Sequence, residues 1–135
     1  MRKFICALAC CVFIFSCKKD GLSKLKSEFA GTWELHKSIG YPFINPVYPP
    51  GNGSIIFLDD NGSVELRRHD TVERKSRYFL QEKKDCYEEK KKVYLTTTDQ
   101  SYPHDWYITL DSGMLVLSTP NCYADGGLTY YRRIQ

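Results

Sequence analysis

Residues 54–68 read SIIFLDDNGSVELRR, and this stretch decides the fold. Ser54–Leu58 is a short β-branched and aromatic run, Asp59-Asp60-Asn61-Gly62 is a turn, and Ser63–Arg68 returns. Asn-Gly tolerates positive φ, which makes it a strong hairpin signal between two such runs. Val64 and Leu66 fall on one face of the returning strand and Glu65 and Arg67 on the other. That is the period of two that a half-buried strand requires.

The same rhythm continues in both directions. Thr32–Ile39 alternates about Trp33, Leu35 and Ser38 or Ile39, and Lys75–Gln81 and Lys92–Thr98 make the fourth and fifth strands. Trp106–Leu110 places Trp106, Ile108 and Leu110 on one side; Asp111-Ser112-Gly113 turns the chain into Met114–Ser118, and Leu128–Ile134 is last. Gly21–Ala30 reads as a polar tether holding one helical turn at most. Eight short strands without a convincing helix predict an all-β domain, a single eight-stranded antiparallel up-and-down barrel. Trp106, Phe57, Phe79, Leu115 and Leu117 are the expected filling, which leaves little cavity.

Two stretches break the rhythm. Gly40–Gly53 holds prolines at 42, 46, 49 and 50, with Tyr41, Phe43 and Tyr48 among them. Prolines exclude a central strand, so this is a long, stiff loop of the kind that often carries function. Glu82–Lys92 is a mixed charge run, read as a solvated hairpin end.

The N-terminus is a targeting signal. Met1-Arg2-Lys3 is positive and Phe4–Phe15 is almost wholly apolar. A run of about 12 residues is too short to cross a bilayer, which takes about 20. Ile14-Phe15-Ser16-Cys17 resembles the lipobox of bacterial lipoproteins. The resemblance implies removal of residues 1–16 and attachment of diacylglycerol to the Cys17 thiol. The segment 17–29 then becomes a lipidated tether ahead of a barrel domain at 30–135. The chain is expected in the cell envelope, held to the membrane by its lipid. Lys18 after the cysteine favours the outer membrane. Loss of Arg2 and Lys3 leaves 17 basic against 16 acidic side chains. Such a near-neutral balance gives no case for nucleic-acid binding.

Of six cysteines, Cys6, Cys10 and Cys11 leave with the signal and Cys17 carries lipid, so Cys86 and Cys122 remain. In an oxidising compartment they are expected to form one disulfide. A plain up-and-down barrel puts them at opposite ends, and a bond needs Cα atoms within about 7 Å. Either the Glu82–Lys92 excursion reaches along the barrel, the strand count is off by one, or the two are unpaired.

Catalytic chemistry finds no foothold. His36, His69 and His104 are scattered, and His69-Asp70 and His104-Asp105 sit in turns rather than on the helices that metal dipeptides use. No nucleophile elbow or phosphate loop is present. Asp59-Asp60 and Asp125-Gly126-Gly127 are turn formers first. No catalytic residue, metal or cofactor is expected.

Gly31-Thr32-Trp33 in the first strand, eight strands, and Tyr130-Tyr131-Arg132-Arg133 in the last together resemble the lipocalin-like barrel. The small lipocalin-like domains of bacterial envelope lipoproteins are the nearest likeness, over Ala30–Gln135. They tend to share an aromatic strand before an acidic turn, as in IIFLDDNG, and a segment such as Cys122-Tyr123-Ala124-Asp125-Gly126-Gly127. The chain is shorter than typical carriers and shows no helix after the barrel. The likeness implies that first and last strands close on each other. Gly31 and Trp33 then plug one end, with Arg132 or Arg133 across the indole, a contact of about 0.5–2 kcal/mol. It implies a monomeric, non-catalytic module binding a small apolar or amphipathic ligand, with Tyr41, Phe43 and Tyr48 on a loop near the mouth. The alternative is an envelope protein–protein interaction or inhibitor module acting through residues 40–53.

Overall fold

The computed structural model describes residues 19–40, 45–99, 105–120 and 126–135. Cys17, Tyr41, Phe43, His104 and Cys122 therefore lie outside the described residues. A helix, α1 (Lys19–Phe29), is followed by eight strands: β1 (Gly31–Ile39), β2 (Ser54–Leu58), β3 (Ser63–Arg68) and β4 (Thr71–Lys84), then β5 (Lys91–Thr97), β6 (Trp106–Asp111), β7 (Met114–Ser118) and β8 (Leu128–Arg133). Each strand pairs antiparallel with the next, and β8 returns to β1, closing an all-β up-and-down barrel. Closure leaves the sheet no exposed outer edge strand.

The 54–68 hairpin sets the register. Leu58 pairs with Val64 and Ile56 with Leu66, so these four point inward together. Gly62 takes φ 89° at the turn, a conformation that glycine adopts without strain. The Asp59 carboxylate accepts a hydrogen bond from the Asn61 amide at 3.1 Å, which holds its pKa below the usual range.

Inward parity then runs around the barrel through Trp33, Tyr78, Leu95, Ile108, Leu115 and Leu117, the buried core. Trp106 packs partly buried against it. Phe57 and Phe79, expected inside, point outward instead. Phe57 alternates with inward Ile56 and Leu58 and lies 4.9 Å beneath the Arg67 guanidinium; Phe79, next to inward Tyr78, is 46% exposed. Leu110, at the end of its strand, is 37% exposed.

Two elements differ from the sequence expectation. β4 begins at Thr71 rather than Lys75, because His69-Asp70 closes a two-residue turn in which His69 takes φ 53°. Thr71–Lys75 is exposed on both sides of the strand, so its sequence carries no alternation to read. The predicted tether is an 11-residue helix. Leu25 and Phe29, one turn apart, join the barrel core. Short helices gain most of their stability from such packing rather than from propensity. Among the described residues no helix is long and apolar enough to cross a membrane, which says nothing about strands.

Candidate functional site

The barrel's two ends differ. Alternating strand direction puts α1, the β2–β3, β4–β5 and β6–β7 turns and the C-terminus at one end. This end is sealed. The Trp33 indole N–H donates to the Phe29 carbonyl at 2.8 Å, and Phe29 is itself buried. The Arg133 guanidinium lies 4.3 Å from the Trp33 ring centre and donates to the Glu28 carbonyl at 2.7 Å. One arginine thereby covers the indole and caps the last turn of α1, where a cation is favoured. Gly31 takes φ 143°, and a Cβ there would meet the Gln135 carbonyl oxygen at 2.9 Å. A side chain at 31 would push the C-terminal strand away from Trp33.

Arg132 takes the opposite parity and turns to the outer wall. It donates to the Tyr48 carbonyl at 2.5 Å and lies 3.5 Å from the Glu34 carboxylate. Glu34, 4% exposed, also accepts from the Gly51 and Gly53 amides at 3.0 and 3.3 Å. The Asn52 amide donates to the Leu35 and Pro49 carbonyls. Val47 bridges to Lys37. The second half of the proline-rich loop is thus strapped to the outside of β1, with Tyr48 half-buried and Val47 63% exposed. This carboxylate cradle escapes a sequence reading, since Glu34 is one polar residue in an alternating strand.

A second outward aromatic is equally hidden from the sequence. Tyr94 points away from the core yet is 1% exposed, with Lys83 Nζ 4.7 Å from its ring and the Tyr107 ring 6.2 Å away. Burial, then the Asp85 carboxylate, pushes its phenol pKa up. Lys83 forms an ion pair with Asp105 over this spot.

The other end carries the β1–β2, β3–β4, β5–β6 and β7–β8 connections, and inside it lies a cavity of about 120 Å³. Ile56, Leu66, Trp106 and Leu117 form apolar walls; Thr129 and Tyr131, both on the inward side of β8, bring hydroxyls. The Thr119 hydroxyl oxygen, also at the wall, accepts from the Gly127 amide at 2.8 Å. Burial pushes the Tyr131 phenol up to about 12, so it stays neutral and protonated at any physiological pH. Among the described residues no charged side chain lines this space. Engineered apolar cavities of about 150 Å³ take up benzene, which sets the scale of a fitting occupant.

Among the described residues no cluster of three or more His, Cys, Asp or Glu side chains could hold a metal. His36 lies on β1 and His69 in the β3–β4 turn, and neither lines the cavity. The candidate residues therefore divide: Gly31, Trp33 and Arg133 meet at the sealed end, while Arg132 and Tyr48 meet on the outer wall. In the sequence Thr129 carries no role, and Tyr131 has only a place in the closing Tyr130-Tyr131-Arg132-Arg133 motif. The signal that finds them is parity, because they share Trp33's side of the closing seam. No protein-family model, curated protein or solved structure matches the chain.

Proposed function

We propose that this chain is a lipoprotein of the cell envelope, acylated at Cys17 and held at the outer membrane. Its lipocalin-like barrel binds a small apolar or amphipathic molecule without catalysis, as a monomer. The observation that carries the binding reading is the asymmetry of the barrel. At one end Trp33 and Arg133 close the barrel mouth, beside an open cleft of about 450 Å³ between α1 and strands β5 and β6. The interior at the other end keeps an apolar chamber with two hydroxyls. The volume suits one ring or the tip of an acyl chain, not a whole lipid. The anchor rests on the resemblance of residues 14–17 to a lipobox, with Cys17 two positions ahead of α1 in the sequence. Cys86 is disulfide-bonded, which supports pairing with Cys122 as the remaining cysteine of the mature chain.

Mass spectrometry of the membrane-extracted protein tests the anchor: the N-terminal peptide should begin at Cys17 with diacylglycerol attached. Saturable binding of an apolar fluorophore, weakened by the cavity-filling change Leu66→Trp, tests the chamber. Absence of saturable binding to the folded protein refutes it.

A second reading has its own observation. The Glu34–Arg132–Asn52 network holds Pro49–Gly53 in one conformation beside exposed Val47, and a preorganised surface is favourable for docking a protein. If this is the functional surface, capture of an envelope protein is lost in Glu34→Ala while fluorophore binding persists.

A further inference from the structure

We infer that the chamber selects a neutral ligand carrying a hydrogen-bond acceptor, such as a ketone, ester or ether on a small apolar body, and that Tyr131 and Thr129 read that acceptor. The inference rests on the binding reading above and adds the chemistry of the head group. Three observations carry it.

First, among the described residues the chamber walls hold no ionic side chain. A carboxylate or ammonium placed there would lose hydration with no counter-charge to replace it, which is far costlier than desolvating a neutral polar group. Second, among the described residues the hydroxyls of Thr129 and Tyr131 have no hydrogen-bond partner, whereas the Thr119 oxygen beside them accepts from the Gly127 amide. Neither hydroxyl is shut off from solvent, and two left open on one side of one strand can exchange water for a ligand's polar atom. Third, the tyrosine remains protonated, so it offers a donor and favours an acceptor in return. Ile56, Val64, Leu66 and Leu117 supply only apolar contact, which suits a hydrocarbon remainder of the ligand.

The test uses four probes that share a ring and differ in head group: cyclohexanone, cyclohexane, cyclohexanecarboxylate and cyclohexylammonium. Their binding to the full mature protein is measured by calorimetry or ligand-observed NMR. Cyclohexanone should bind roughly three- to tenfold tighter than cyclohexane, the increment of one neutral hydrogen bond. The two ions should bind at least about a hundredfold more weakly than cyclohexanone. Tyr131→Phe keeps the ring and its packing, and should erase most of the ketone's advantage while leaving cyclohexane unchanged. Thr129→Val, of equal size, should reduce it less.

Tighter binding of either ion overturns the inference. So does a ketone advantage that survives in the Tyr131→Phe, Thr129→Val double variant. If none of the four binds the folded wild-type protein, the chamber reading itself fails. If cyclohexane binds and the ketone gains nothing, only the head-group assignment fails.

Discussion

Arg133→Ala isolates the closure at the α1 end of the barrel. The substitution removes a cation 4.3 Å from the Trp33 ring and a donor 2.7 Å from the Glu28 carbonyl. Arg133 is exposed, so the cation–π contact is worth about 0.5–1 kcal/mol. The capped carbonyl in the last turn of α1 adds about 0.3–1 kcal/mol. Together they predict a loss of about 1–2 kcal/mol. For a domain of this size that lowers Tm by roughly 4–10 °C. Urea unfolding followed by tryptophan fluorescence measures it, since both tryptophans, Trp33 and Trp106, sit in or against the core. Arg133→Lys keeps a cation near the indole but loses the forked donor, and should recover about half. Hydrogen exchange adds a local readout: amides of α1 should lose protection before those of β2 and β3. Arg68→Ala is the control, because its partner Glu73 lies on the surface at 3.1 Å, and exposed pairs contribute about 0–1 kcal/mol. A loss in Arg133→Ala no larger than in Arg68→Ala, with α1 protection unchanged, refutes the reasoning.

Glu34→Ala should cost about 3 kcal/mol, since it strands Arg132 and two loop amides around a buried position; limited proteolysis should then cut between Pro49 and Gly53 in the folded protein. Glu65 sits between Lys75 at 2.7 Å and Arg67 at 2.5 Å, which hold its carboxyl below the ordinary 4.5. The unfolded chain therefore takes up this proton at higher pH than the folded one. The contribution is complete above the unfolded pKa and fades as pH falls through the folded value, so Glu65→Gln should flatten the stability profile below about pH 5. Reduction of the disulfide should lower stability by about 3–4 kcal/mol if it closes the loop from Cys86 to Cys122; a non-reduced peptide map joining other cysteines refutes that pairing.

The barrel itself is legible in the chain because its strands obey a local rule. Asn61-Gly62 sets one hairpin, and the period of two on either side sorts residues into faces. The reading fails where the alternation has an aromatic on each side. Phe57 and Phe79 look like core by type, yet inward Ile56, Leu58 and Tyr78 leave them no place inside. It fails again at Thr71–Lys75, where a strand exposed on both faces carries no pattern. α1 is missed because its stability comes from Leu25 and Phe29 meeting the barrel, a gain that exists only once the barrel has closed.

The candidate site divides along the same line. Gly31, Trp33 and a late arginine are visible as residues, but only the register of β1 against β8 gives Arg133 to the indole and Arg132 to the outer wall. Sequence alone determines turn positions, strand faces and charge balance, because these depend on neighbours within a few residues. The tertiary structure decides which end is filled, which hydroxyls face the chamber and which carboxylate holds the loop. Those outcomes depend on residues as far apart as Glu28 and Arg133, which become neighbours only when the cylinder shuts.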